Sequence, residues 1–186
     1  MLLAYIALAA VAVALLRGGR LSNLGTAPLK CLWLPIAAFA LEAAIGPLVR
    51  VLPWPYEHWL WLVVLAGYLL LGAFLVLNRH FRSVGLLEIG TVLNFAVISS
   101  NHWQMPVSPL IYNIPKLAPV LEKMTTGTLV EYAVATEATK LLWLGDVIRM
   151  DFIPGMSFGS VGDFFLGAGI FWLVQEAMVP RVKSKK

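Results

Sequence analysis

Charge is scarce in this sequence. Of 186 residues only 13% are Asp, Glu, Lys or Arg, while 60% are apolar and the mean hydropathy is +0.81. An ordinary soluble domain carries about 25% charged residues, so this composition excludes one and points to a membrane protein. Cysteine is rarer still: the single Cys31 can form no internal disulfide and has no metal-ligand spacing around it. The three histidines, His58, His80 and His102, are scattered along the chain. With no H-E-x-x-H, no G-x-S-x-G and no Gly-rich phosphate loop, the sequence implies no metal and no cofactor. The net charge of +4 resides in basic residues between apolar runs and at the C-terminus. It lacks the basic-aromatic pattern that reads bases, which argues against a nucleic-acid partner. There is also no internal repeat and no low-complexity segment, so the inverted-repeat signature of many transporters is missing.

What is present is a succession of apolar runs close to the roughly 20 residues that a helix needs to cross the hydrocarbon of a bilayer. They cover about residues 1–16, 31–49, 58–77, 84–103 and 157–179. The expectation is an all-α integral membrane protein, one domain over residues 1–186, built as a bundle of five transmembrane helices. The first run has its positive charge after it, at Arg17 and Arg20, where a secretory signal peptide has it before, so it reads as a retained helix. Because positive residues stay in the cytoplasm, Arg17, Arg20 and Lys30, then Arg79 and Arg82, then Arg181, Lys183, Lys185 and Lys186 place the N-terminus outside and the C-terminus inside. The connector RVLPWPYEHW, with Trp54, Tyr56 and Trp59, reads as an outer turn in an aromatic belt.

Residues 104–156 form an extracytoplasmic segment between the fourth and fifth spans. Its Lys116, Lys123, Lys140 and Arg149 stand against Glu122, Glu131, Glu137, Asp146 and Asp151, four positive charges against five negative, a net of −1. Ser108-Pro109 has helix-start chemistry, Gly127 ends a short helix begun near Pro119, and Pro115 prevents one continuous rod. Residues 128–148 mix apolar and polar residues at near-helical spacing, which predicts a helix on the membrane surface or partly re-entrant, roofing the bundle.

The fourth run is the least apolar. At 100° per residue Asn94 and Asn101 lie on nearly the same side, with Glu88 and Thr91 beside them, so a polar face points into the bundle. The stretch that organises the chain is residues 141–163, LLWLGDVIRMDFIPGMSFGSVGD, which sets Asp146 and Asp163 on either side of a Pro154-Gly155 turn. Aspartate is costly at membrane depth and marks a functional site by default. Each also has a structural reading: Ser160-Val161-Gly162-Asp163 has the form of a capping box, and Gly145-Asp146 is turn material. Were the two carboxyls to meet within about 4–6 Å, one would hold a proton as acid while the other activated water as base. His102, beside Asn101 near the outer roof, is a further candidate for such a site.

At two levels these segments resemble known families. RGGRLSNLG, LNFAVISSNHWQMPV, LLWLGDVI and SFGSVGD together resemble an uncharacterised family of small bacterial multi-pass membrane proteins, a domain of unknown function. The usual form of the second segment has glycines after the asparagine, where this chain has His102-Trp103. More distantly, SFGSVGDFFLGAGIFWLV is similar to the last-helix motif of the lipoprotein signal peptidases. That resemblance implies Asp163 as one catalytic aspartate and Asp146, in GDVIR, as a looser counterpart of the other. The Gly-Asn that precedes the second aspartate in those enzymes is absent here.

These readings place the protein in the bacterial cytoplasmic membrane with the lipid bilayer as its partner. The leading expectation is a non-catalytic module binding a membrane protein, lipid or small ligand on its outer side. A first alternative is an aspartyl membrane hydrolase with Asp146 and Asp163 as the catalytic pair and Asn94, Asn101, Glu88 and His102 orienting substrate. A second is a small transporter, for which Glu42 and Glu176 are the only further acids in the apolar runs below Glu88.

Overall fold

The computed structural model describes residues 2–179, so the basic residues expected at the C-terminal tail and Met1 lie outside the described residues. The chain is mostly helical, with two small sheets. Helix α1 spans Leu2–Leu16, α2 Leu21–Thr26, α3 Trp33–Val51, α4 Leu60–Leu77, α5 Val84–Ser100, α6 Ala118–Thr125 and α7 Val161–Met178. Of these, α3, α4 and α7 are long and apolar enough to cross a membrane, and α1 and α5 are shorter apolar helices. These five match the five apolar runs of the sequence. The six-residue α2 in the first basic loop was not expected.

Helix α7 packs chiefly against α5 and α1, α3 pairs with α4, and α4 joins the two groups through α5. The central place of α7 follows from its small residues. A Cβ on Gly162 would lie 2.0 Å from Asn94 Oδ1, one on Gly167 2.3 Å from Ile6 Cδ1, and one on Gly169 2.6 Å from Leu87 Cδ2. On the facing helix a Cβ on Gly90 would lie 2.6 Å from the Gly162 carbonyl oxygen. Between apolar helices in lipid, such backbone approach supplies the packing that hydrophobic burial supplies in water.

One end of the bundle gathers the helix ends that carry basic residues. The Asn78 side chain, fully buried after α4, accepts from Lys30 N at 2.8 Å and donates to Lys30 O at 2.9 Å, fastening the start of α3 to the end of α4. Arg17 donates to Gln175 Oε1 at 3.0 Å and Asn23 to Met178 O at 2.8 Å, while Ser83 donates through N and Oγ to Glu176 Oε2. The ends of α1, α4 and α7 and the starts of α3 and α5 therefore share one face.

The opposite end is the roof, residues 104–156. Strand β1 (Met105–Val107) pairs in parallel with β2 (Tyr132–Val134), and β3 (Ile148–Arg149) pairs antiparallel with β4 (Phe158–Gly159). As the sequence led one to expect, Ser108 caps a helical turn, the 3-10 turn Pro109–Asn113, and α6 ends before Gly127 at φ +69°; a second 3-10 turn, Pro115–Leu117, was not expected. The surface helix expected over residues 128–148 does not form. Residues 132–134 are extended instead, with Met105 N donating to Glu131 O and Ala135 N to Val107 O, both at 2.8 Å. The β-branched residues Thr128, Val130, Val134, Thr136 and Thr139 favour extended backbone, and β1 supplies the ladder that a lone segment lacks.

Replacing Gly90 by alanine forces the α5–α7 backbones apart and is expected to destabilise the fold by about 1–3 kcal/mol. Gly72→Ala, where an added Cβ meets nothing within 4 Å, is expected to stay within about 1 kcal/mol of the parent. Thermal unfolding of both variants in detergent checks the contrast.

Candidate functional site

The N-terminus of α7 sets the site. Ser160 is its N-cap, with extended backbone and a fully buried side chain. Its Oγ accepts from Asp163 N at 3.0 Å, and Asp163 Oδ2 accepts from Ser160 N at 3.2 Å, so the capping box read from the sequence is present. The box is extended across the helix interface. Asn94, buried on α5, donates from Nδ2 to Asp163 Oδ1 at 3.0 Å and accepts from Ser160 Oγ on its own Oδ1 at 3.0 Å. Only glycine at position 162 leaves room for this amide.

Asp146 arrives from the roof. Its backbone bridges β1, with Asp146 N donating to Pro106 O at 2.8 Å and Ser108 N to Asp146 O at 2.9 Å. The antiparallel register Ile148↔Gly159 then folds the following residues back toward Ser160 and the start of α7. The Asp146 side chain is 8% exposed, and its Oδ1 is buried with no hydrogen-bond partner among the described residues. Burial pushes its carboxyl well above the ordinary carboxylate range, and the charge of Asp163 pushes it further. Tyr132, on β2, feels the same surroundings: burial raises its phenol, and Asp146, Glu42, Asp163 and Glu131 add to the rise. Glu131 is raised by burial, and its Oε2 is a second buried oxygen without a partner.

The structure thus joins Asp163 and Asn94 by a hydrogen bond, sets Asp146 on a segment tied by β3 and β4 to the start of the same helix, and separates the remaining candidates from them. Glu88 pairs with Arg79 at 2.6 Å, toward the basic end. Asn101, at the end of α5, donates to Lys140 O at 2.8 Å and accepts from Lys140 N at 2.9 Å, which holds the roof down. His102 is exposed in a left-handed turn, with φ 55° there and 65° at Trp103. Left-handed backbone is the region glycine fills without strain, which gives a physical reason for glycines after the asparagine in the usual form of this segment. Glu131 and Tyr132 were missed as neighbours of the acids, because only the parallel pairing of β2 with β1 carries them there. Among the described residues no group of three or more His, Cys, Asp or Glu is placed to hold a metal ion.

Chemically, the centre contains one carboxylate supplied with donors at a helix N-terminus and a second, desolvated carboxyl with a free buried oxygen. The desolvated carboxyl favours its protonated form, and its buried oxygen can accept a hydrogen bond from a bound group.

Fold and site define a helical protein with three helices long and apolar enough to cross a membrane and acidic groups where the roof meets α7. Residues 26–175 match the Family of unknown function (DUF5317), and the chain belongs to that family. No curated protein and no solved structure matches it, and the likeness to lipoprotein signal peptidases finds no support in these comparisons.

The raised carboxyl of Asp146 makes stability depend on pH. Between its unfolded value, near the ordinary 3.8, and its higher folded value, the folded state binds more protons, so stability falls as pH rises through that window. Glu131 contributes with the same sign, whereas Asp151, held low by its hydrogen bond from Arg149, loses its contribution only as pH drops below the ordinary range. Melting of the parent in detergent is therefore expected to weaken from about pH 4 upward, by at most about 1.4 kcal/mol per unit from Asp146. Asp146→Asn is expected to flatten most of that slope, and an unchanged slope would remove Asp146 as its source.

Proposed function

We propose that this is a multi-pass protein of the bacterial cytoplasmic membrane in which α1, α3, α4, α5 and α7 are five spans, N-terminus outside and C-terminus inside. Support comes from the gathering of Arg17, Arg20, Lys30, Arg79 and Arg82 at one end of the bundle. Each connection at that end is short and rich in Lys or Arg, and lysine and arginine bias in short loops is what orients membrane proteins. The native Cys31 is exposed and belongs to the basic end. A membrane-impermeant maleimide applied to intact cells is expected to leave Cys31 unlabelled and to label Glu57→Cys in a Cys31→Ser background, with Cys31 labelled only after permeabilisation. The inverse pattern reverses the orientation, and labelling of both from one side means that α3 does not cross.

We infer further that the acidic centre under the roof is a binding site, without turnover, for a group carried by a lipid, small ligand or partner on the outer side. One observation carries this: the Asp146 Oδ1, buried and without a hydrogen-bond partner among the described residues, on the segment that the Ile148–Gly159 pairing ties to the start of α7. A buried polar atom without a partner costs roughly 1–3 kcal/mol, which a donor on a bound group would recover. The roof also exposes Leu110, Tyr112, Trp143 and Phe152, apolar side chains of the kind that meet lipid or an apolar partner.

Aspartyl hydrolysis is the second reading, favoured by the chemical difference between the two carboxyls, one desolvated and the other served by Ser160 N and Asn94 Nδ2. One experiment separates the two. In native mass spectrometry of protein released from mild detergent, the parent is expected to retain a non-protein mass that Asp146→Leu loses and Arg149→Gln keeps. Equal retention by parent and Asp146→Leu sinks the site. A mass that is intact on Asp163→Asn and Asp146→Asn but cleaved on the parent establishes the hydrolase.

A further inference from the structure

The basic end of the bundle contains a second feature that the acidic centre does not explain. A cavity of about 580 Å³ lies where the end of α1, the start of α5 and the last turns of α7 meet, lined by Arg17, Arg82, Trp172, Gln175, Glu176 and their neighbours. Its two arginines are placed differently. Arg17 follows the last residue of α1 and is aimed by Gln175, which is itself only 8% exposed and anchored through Nε2 to Ala10 O at 2.7 Å. A glutamine fixed in the α1–α7 interface thus orients a guanidinium at the cavity edge. Arg82 lies just before α5, and its guanidinium has no hydrogen-bond or ion-pair partner among the described residues. The acid in the lining, Glu176, directs its Oε2 to Ser83 N and Oγ at the α5 N-terminus, at 3.1 and 2.7 Å. Trp172 is 42% exposed beside the arginines, an amphipathic ring of the kind that sits at headgroup level.

We propose that this cavity binds the phosphate of an anionic phospholipid headgroup, with Arg82 and the Gln175-oriented Arg17 on the phosphate oxygens and Trp172 against the glycerol and upper acyl region. Paired guanidiniums match phosphate geometry through parallel N–H donors, and basic pockets between spanning helices are suited to anionic headgroups. Arg181, Lys183, Lys185 and Lys186, later in the sequence, carry charge of the sign that attracts anionic headgroups. The inference goes beyond the outer-side site; it rests on the membrane reading but not on the orientation, because binding can be measured in detergent.

The test titrates the full-length protein in detergent with phosphatidylglycerol or phosphatidylcholine and reads bound lipid by native mass spectrometry. Phosphatidylglycerol is expected to be retained preferentially. Arg82→Gln is expected to weaken that preference about five-fold, near the worth of one basic side chain at an anionic surface. Arg82→Lys should keep most of it, and the quadruple tail variant Arg181→Gln, Lys183→Gln, Lys185→Gln, Lys186→Gln should change it less than Arg82→Gln alone. Unchanged melting of Arg82→Gln without added lipid establishes that the fold is intact; if that variant does not fold, Trp172→Ala takes its place. Equal retention of the two lipids, or a loss that follows the tail rather than Arg82, overturns the proposal. Full displacement of the lipid by inorganic phosphate or glycerol 3-phosphate at matched concentration also overturns it, assigning the cavity to a soluble phosphate.

Discussion

Everything at the roof end of the bundle depends on the close crossing of α5 and α7 at Gly90 and Gly162. With no side chain on either, the helices approach until Asn94 reaches across to Asp163 and Ser160. The contact is at once packing and polar satisfaction. It buries an amide that would be expensive in lipid, and it supplies the Asp163 carboxylate with a donor from a second helix. The capping box alone would hold α7; the asparagine makes it a joint between two helices.

That joint decides what the roof can be. Strand β4 runs directly into Ser160, and β3 is paired to it, so the segment bearing Asp146 is tied to the same point by main-chain hydrogen bonds. On its other side the segment is bridged to β1, whose partner β2 brings Tyr132 and Glu131. Two short ladders therefore converge on one helix N-terminus and bring a second acid with them. The result is one desolvated carboxyl and one rich in donors, an asymmetry that arises from burial and capping and needs no metal or basic partner.

At the other end the logic is ionic and exposed. Asn78 and Ser83, both fully buried, use their side chains to fasten loops to helix ends. Around them the arginines face outward, apart from the one aimed by Gln175. A transporter would need a continuous polar path between the two ends. Glu88, the one acid on α5, is turned to Arg79 instead, and beside it the basic end is packed with Leu34, Phe74, Val84 and Leu87.

Much of this was legible from the residues. The five apolar runs, the capping box at Ser160-Asp163, the central α7 and the buried Asn94 all follow from local rules: hydrophobic length, the spacing of a cap, and the need of small or polar residues for a neighbouring helix. Three things were not legible. The helix expected over residues 128–148 does not form, and residues 132–134 are a strand instead, because β1 was available to pair with them. Asn101, on nearly the same side as Asn94, serves the Lys140 backbone, and Glu88 serves Arg79, because angle around a helix says nothing of which neighbour stands opposite at each height. Local chemistry could name Asp146 and Asp163 as candidates, since aspartate among apolar residues is conspicuous in a single chain. That they act on one another is a distance between segments, and such distances arise from strand pairing and helix packing, long-range contacts that no short stretch of sequence contains.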